Sequence, residues 1–186
     1  MAQVFVSIGS NIDRVTNVSL SVEELTRRFG VLRLSSIYES DPVGFDGDPF
    51  LNLVAGFGTS RPPSELVSEF REIEAKSGRS RGAKRMGPRT LDLDLLLYGD
   101  QVIDEDGIVV PREEIARYSF VLGPLAEVAG GFRHPVTGDT IAEMWAAFDG
   151  SRQALRRVAP SVSALRERPV SGTGDFSGGD GGRVSG

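Results

Sequence analysis

Leu91-Asp92-Leu93-Asp94-Leu95-Leu96-Leu97-Tyr98 is an apolar run with two aspartates set at alternate positions. A β-strand sends successive side chains to opposite faces. Leu91, Leu93 and Leu95 then point into a core, while Asp92 and Asp94 share the other side with Cα atoms ~7 Å apart. Upstream, strand-like and helix-like patterns alternate. Val4-Phe5-Val6-Ser7-Ile8 is a short apolar strand closed by Gly9, and Ser10 or Asn11 can cap the helix after it. Val18, Val22, Leu25 and Phe29 recur at helical spacing, and Gly30 stops that helix. Val31 to Tyr38 is strand-like and ends before Asp41-Pro42, where proline forbids continued pairing. Residues 41–49 carry two prolines and two glycines and form a loop. Phe50 to Phe57 is a strand antiparallel to the preceding one, and Pro62-Pro63-Ser64 opens a helix with Leu66, Val67, Phe70 and Ile73 on one face.

The order strand, helix, strand, strand, helix, strand predicts an α+β fold. The expected architecture is a ferredoxin-like βαββαβ sandwich, a four-stranded antiparallel sheet with both helices on one face. With 186 residues, the chain has the length of one domain. The folded body is expected over residues 1–160, with an extension and tail over 161–186. Ser151 to Arg168 is arginine-rich, with scattered Leu155, Val158, Val162 and Leu165, and reads as a marginal helix or a loose extension. The last sixteen residues hold seven glycines and three serines, a composition expected to be disordered. Ile141, Trp145 and Phe148 read as the core face of an amphipathic helix, and His134, beside Pro135, as exposed or structurally bonded.

Composition closes several routes. The absence of cysteine excludes a disulfide scaffold, a thiolate zinc site and a cysteine nucleophile, and the single histidine excludes any site needing two imidazoles. A net charge of −5 argues against nucleic-acid binding. No apolar run approaches the ~20 residues of a membrane span, and the N-terminus has no signal-peptide pattern. A soluble cytoplasmic protein able to stand as a monomer is the expectation.

The chemistry gathers around the aspartates. Aspartate is disfavoured in strands, and two on one face repel; a bound cation removes that conflict. Mg²⁺ is usually held by one or two carboxylates and completed by substrate phosphates. Two hydrated aspartates on a solvent-facing strand account for the pair equally well when it is taken alone. The segment just before it changes the balance. Arg79, Arg81, Lys84, Arg85 and Arg89 give +5 with no acidic residue between them, leaving −10 for the rest of the chain. Guanidinium forks hold phosphate oxygens, and Gly78, Gly82 and Gly87 let such a loop close over a nucleotide. Loop and strand together favour a metal–polyphosphate site over a solvated charge run. No G-x-x-x-x-G-K-[ST], G-x-G-x-x-G or protein-kinase motif is present, so the site is of another kind. Phe50 and Asn52 share a strand face, an apolar plane beside an amide, which suits a planar heterocycle; from the residues alone, a core phenylalanine and a backbone-satisfying asparagine is the simpler reading.

Gly87-Pro88-Arg89-Thr90-Leu91-Asp92-Leu93-Asp94-Leu95-Leu96 resembles the signature of the 6-hydroxymethyl-7,8-dihydropterin pyrophosphokinase family of folate biosynthesis. Ser7-Ile8-Gly9-Ser10-Asn11, Ser35-Ser36-Ile37-Tyr38, Phe50-Leu51-Asn52 and Phe120-Val121-Leu122-Gly123-Pro124-Leu125 extend the resemblance over about residues 3–130. It implies pyrophosphate transfer from ATP to the pterin hydroxymethyl group with release of AMP. It further implies that Asp92 and Asp94 bind two Mg²⁺, and that Arg79, Arg81 and Arg89 contact or cap the triphosphate. Glu74 and Leu95 fall on the nucleotide side. Phe50 and Phe120 would sandwich the pterin and Asn52 would bond its edge, with backbone groups of Ser40, Asp41 and Val43 completing the pocket. This reverses the simpler reading of Phe50 and Asn52.

The chain departs from the family pattern at Met86, where many members carry tryptophan, and at Arg112, where histidine is common. Tyr118 stands where an arginine usually precedes the stacking phenylalanine. Arg112 or Arg117 is expected to supply the missing cation. Two further readings compete: a relative that binds pterin or nucleotide without efficient turnover, and an RNA-binding module of the same strand order. The acidic charge and the lack of an interleaved aromatic motif count against the second.

Overall fold

The computed structural model describes residues 1–77 and 91–166. Arg79, Arg81, Arg89 and Met86 of the basic loop, and the glycine–serine tail, lie outside the described residues. In chain order the elements are β1 (Ala2–Ser10), α1 (Arg14–Phe29), β2 (Arg33–Leu34), β3 (Ile37–Ser40), β4 (Phe50–Thr59), α2 (Pro63–Lys76) and β5 (Asp92–Tyr98). A small hairpin, β6 (Ile103–Glu105) and β7 (Ile108–Val110), comes next, then α3 (Glu114–Arg117), α4 (Ser119–Ala129) and α5 (Ile141–Ala147). The described chain closes with a 3-10 turn (Gly150–Arg152), β8 (Leu155–Ala159) and α6 (Val162–Arg166).

The main sheet runs β5-β1-β4-β3-β8 with β2 also on β4, and every pairing is antiparallel. Its two faces carry separate cores. Val4, Val6, Ile8, Leu53, Leu93 and Leu95 pack with Val18 and Leu25 of α1 and Leu66, Phe70 and Ile73 of α2. On the other face Phe5, Val54 and Leu97 pack with Val121, Leu122 and Leu125 of α4 and Ile141 of α5. Each fully buried leucine or isoleucine contributes roughly 1.5–3 kcal/mol, so both layers are strongly held. Gly56 of β4 leaves room for the Phe5 ring of the neighbouring strand: a Cβ there would lie 2.9 Å from that ring.

The alternation expected of β5 holds through Leu95, with Leu91, Leu93 and Leu95 buried in the α1/α2 core. It then breaks at a bulge. Val6 pairs with Leu95 but Phe5 with Leu97, so Leu96 is an extra residue and joins Leu97 in the second core. β5 is also an edge strand, and α2 covers its free side, where the buried Glu74 accepts the Leu93 N–H through Oε1 at 2.9 Å.

Several local expectations are corrected. The sheet has six strands rather than four: part of the segment read as a marginal helix or loose extension forms β8 on β3, and the run read as one strand before the 41–49 loop forms two. Beyond residue 160, α6 packs Val162 and Ala164 against the α1/α2 core. Val31 to Tyr38 is not one strand: Ser35 exchanges bonds with Val54, its N–H reaching Val54 O at 3.0 Å and its hydroxyl accepting Val54 N–H at 2.9 Å, which splits the run into β2 and β3. Neither Ser10 nor Asn11 caps α1. Ser10 Oγ donates to Ile12 O, Asn11 Nδ2 donates to Asp48 O, and Asp13 stands at the N-cap in the left-handed region. Trp145 is half-exposed rather than core, stacked on Phe148 with centroids 5.9 Å apart, whereas Ile141 is fully buried. His134 is structurally bonded, its Nδ1 accepting from the backbone of Val136 and Thr137. No helix among the described residues is long and apolar enough to cross a membrane.

Candidate active site

A cleft of about 850 Å³ opens on the sheet face that also carries α4, at the end where β1 finishes and β5 begins. Sheet register dictates its floor. Gly9 lies between Asn52 of β4 and Asp92 of β5, and Ser7 lies between Val54 and Asp94. Cross-strand neighbours share a face, so Asn52, Gly9 and Asp92 form one row across three strands, with strands ~4.8 Å apart. Glycine leaves the middle of that row open: a Cβ on Gly9 would sit 3.6 Å from Asn52 Oδ1 and 4.0 Å from Phe50 Cδ1.

One wall is built by β3, β4 and the loop between them. Asn52 is buried, and its Nδ2 donates to Ser40 Oγ at 2.9 Å, which fixes the carboxamide and leaves Oδ1 toward the Gly9 gap. Phe50 lies two residues away on the same face, with Phe45 edge-on to it at 6.2 Å and 82°. Asp41 and the half-exposed Val43 continue this wall. Glu39, just behind it, is held below the ordinary carboxylate range: burial acts to raise it, but bonds from Arg156 and Arg14 outweigh that. The opposite wall is aromatic. Tyr118 and Phe120 stack at 5.0 Å and 14° where α4 starts.

The acid pair lies between the walls and the rim. A cation already sits on it: Arg112 Nη2 donates to Asp94 Oδ1 at 2.8 Å and lies 3.2 Å from Glu114 Oε1. The Arg112 backbone is pinned by its N–H on Leu96 O at 3.0 Å, and its buried Nε has no partner among the described residues. Arg112 or Arg117 is the cation expected on phosphate; here Arg112 lies on a carboxylate. Arg117, the other candidate, pairs with Glu113 at 2.9 Å and is exposed.

All the expected site residues that are described line this single cleft: Ser40, Asp41, Val43, Phe50, Asn52 and Phe120 on the walls, Glu74, Asp92, Asp94, Leu95 and Arg112 on the acid side. Leu95 offers the cleft its backbone, since its side chain belongs to the core. Residues not anticipated are Phe45 and Arg71 of α2, an exposed cation three residues before Glu74 and so on the same helix face; Tyr118, noted as a departure from the family pattern, also lines the cleft. That spacing is the available signal for Arg71. Nothing local marks Phe45.

The donor set suits a hard divalent cation. Two carboxylates from one strand offer oxygen ligands only, and a guanidinium already occupies one of them as a positive stand-in. Among the described residues no group of three His, Cys, Asp or Glu is placed to hold a metal, so two carboxylates would need phosphate oxygens and water to complete the sphere.

The model of the family 7,8-dihydro-6-hydroxymethylpterin-pyrophosphokinase matches residues 5–130. The 2-amino-4-hydroxy-6-hydroxymethyldihydropteridine pyrophosphokinase of Bacillus subtilis is 41% identical over 128 residues, covering 67% of this chain and 76% of its own length. The "Folic acid synthesis protein fol1" of Pneumocystis carinii is 37% identical over 142 residues, 75% of this chain but 19% of that protein. In fold, the chain is similar to the crystal structure of wild-type Plasmodium falciparum HPPK-DHPS, with a TM-score of 0.62 at 13% identity over 78% of this chain and 44% of that one. The chain thus spans most of the bacterial relative but a minor part of the longer ones. With its site and these matches together, the chain belongs to the 7,8-dihydro-6-hydroxymethylpterin-pyrophosphokinase family.

Proposed function

We propose that this chain transfers the pyrophosphoryl group of ATP to the hydroxymethyl oxygen of 6-hydroxymethyl-7,8-dihydropterin, releasing AMP, as a step in folate biosynthesis. The observation that carries this reading is the row Asn52–Gly9–Asp92, which sets an amide-lined aromatic pocket beside an acid pair across one open glycine. A flat heterocycle held by Asn52 between Phe50 and Phe120 extends a substituent over Gly9 toward whatever Asp92 and Asp94 hold. Ser40 orients the Asn52 amide, and backbone groups of Ser40, Asp41 and Val43 complete the pterin edge.

In the reaction the hydroxymethyl oxygen attacks the β-phosphorus of ATP. The bond from that phosphorus to the α–β bridging oxygen breaks, AMP leaves with the bond electrons, and the hydroxyl proton is lost to solvent. Such transfers need alignment and charge stabilisation more than covalent help. Two Mg²⁺, held by Asp92 and Asp94, would supply charge neutralisation and Lewis acidity at the phosphates. Arg79, Arg81 and Arg89 are assigned to the triphosphate, and Glu74 with the Leu95 backbone to the nucleotide side. Arg112 is assigned to the same phosphates once it leaves Asp94.

The order β5-β1-β4-β3, with α1 and α2 on one face, supports a ferredoxin-like βαββαβ unit, to which β2, the β6–β7 hairpin, the helices from α3 onward and β8 are additions. Residues 1–160 are assigned as the catalytic body and 161–186 as the extension. The chain is proposed to act as a monomer.

The test compares the unaltered chain with Asp94→Ala in ATP, Mg²⁺ and the pterin, with nucleotides separated by chromatography. Pterin-dependent AMP release that falls ~10³-fold in the variant is expected, the scale of losing a principal charge-stabilising group. An undiminished rate in Asp94→Ala overturns the metal assignment. Saturable pterin binding with no AMP from the unaltered chain identifies a binding protein instead.

A further inference from the structure

The segment from Asp149 to Ala159 lies past the residues matched by the family model, yet it is bonded to both walls of the cleft. At the aromatic wall the agent is Gln153. Its Oε1 accepts the Ser119 N–H at 2.8 Å, its Nε2 donates to Arg117 O at 2.8 Å, and its carbonyl accepts from Ser119 Oγ at 3.0 Å. The first N–H groups of a helix have no partner within it, and Tyr118 at the N-cap of α4 makes no side-chain cap. Gln153 takes that role from 34 residues away and so fixes the turn that carries Tyr118 and Phe120.

At the other wall the agent is Arg156. β8 pairs with β3 so that Arg156 stands opposite Glu39 and Leu155 opposite Ser40. Arg156 Nη2 lies 3.1 Å from Glu39 Oε1 and 3.2 Å from Asp41 Oδ1, holding the start of the 41–49 loop. Arg14 bonds Glu39 Oε2 at 2.8 Å and Pro49 O at 2.9 Å, holding its end. Between the two contacts Leu155 fits over Gly123 of α4, where a Cβ would come within 2.8 Å of it.

We propose that this segment is a brace that sets the separation of the two pocket walls, with Gln153 and Arg156 as positioning residues for the heterocycle. The inference rests on the pterin pocket assigned above. A strand that merely added stability would leave ligand preference untouched; a brace on these two walls acts on the pterin and spares the nucleotide, which is held on the acid side.

The test uses the full chain carrying Gln153→Ala, Arg156→Ala or Arg156→Lys, with Arg157→Ala as the control. Arg157 lies on the same strand but bonds Ser36 Oγ at 2.8 Å, away from the cleft. Dissociation constants for the pterin and for a non-hydrolysable ATP analogue are measured below each variant's melting transition. Freeing two or three side chains at the pocket predicts pterin binding weakened ~3–10-fold in both alanine variants. Nucleotide binding should stay within about twofold, Arg156→Lys should lie between, and Arg157→Ala should lower Tm alone. Unchanged pterin affinity in Gln153→Ala and Arg156→Ala, or equal loss for both ligands, overturns the brace. Failure of the unaltered chain to bind the pterin overturns the proposed function and the brace with it.

Discussion

Replacing Arg112 by methionine keeps most of the length of the side chain and removes its charge. That charge lies 2.8 Å from Asp94 Oδ1, so a divalent cation arriving at Asp94 competes with it. Two unit charges ~4 Å apart attract by ~4 kcal/mol at an effective dielectric of ~20. Both side chains are partly open to water, with 26% and 36% of their surface exposed, and Glu114 shares the guanidinium. The net pairing is therefore on the scale of an exposed ion pair, about 1 kcal/mol, or ~5-fold in a binding constant. Mn²⁺, which is paramagnetic, reports this directly by electron paramagnetic resonance. Without nucleotide, Arg112→Met should bind Mn²⁺ ~5-fold more tightly. With an ATP analogue, whose phosphates Arg112 is proposed to serve, the same variant should hold the metal–nucleotide pair more weakly. Opposite signs in the two conditions are the signature. Unchanged or weaker Mn²⁺ binding without nucleotide refutes the competition.

Gly9→Val should leave Tm unchanged or raised, because β-branched residues suit a strand, yet weaken pterin binding at least ~10-fold by filling the gap between Asn52 and Asp92; retained affinity would mean the ligand does not cross that row. Glu74→Ala strips the acceptor from the buried Leu93 N–H, a loss of ~1–3 kcal/mol, so Tm should fall by several degrees while Glu74→Gln recovers most of it; an unchanged Tm in Glu74→Ala would show that α2 does not depend on this bond. The Tyr38 phenol is pushed up to about 12, first by burial and then by its hydrogen bond to Glu127. Because the folded value lies above the unfolded ~10, its stabilisation is complete below pH ~10 and is lost as pH rises through about 12. Ultraviolet titration should show one phenol ionising near pH ~12, absent in Tyr38→Phe; complete ionisation by pH ~11 would contradict it.

The pattern of the chain carries the central unit well where one residue's placement follows from its neighbours. Alternation through Leu91–Leu95 puts the aspartates on one face, and the helical spacing of Leu66, Phe70 and Ile73 predicts the buried stripe of α2. Beyond Leu95 alternation fails as a guide because the bulge at Leu96 and burial on both faces remove the polar positions that would mark it. β8 escapes for a different reason. Its Arg156 and Arg157 look like a solvated run until their partners Glu39 and Ser36 are known, more than a hundred residues away. The site divides in the same way. The carboxylates are a local pattern; Phe50 and Asn52 share a local face but read as site residues only through the family resemblance, and the pairing of Arg112 with Asp94 and the stacking of Tyr118 on Phe120 depend on how loops return to the sheet. Trp145 departs from its expected place because helical spacing says which residues share a face, not how deeply the far end of a short helix sinks.

The most direct test of the pyrophosphoryl transfer is ³¹P NMR of the complete reaction of this chain with ATP, Mg²⁺ and 6-hydroxymethyl-7,8-dihydropterin. The proposed reaction predicts equal amounts of AMP and a pterin diphosphate ester, with two coupled phosphorus signals on the pterin. ADP with a single-phosphorus pterin ester would contradict attack at the β-phosphorus, and with it the proposed pyrophosphoryl transfer.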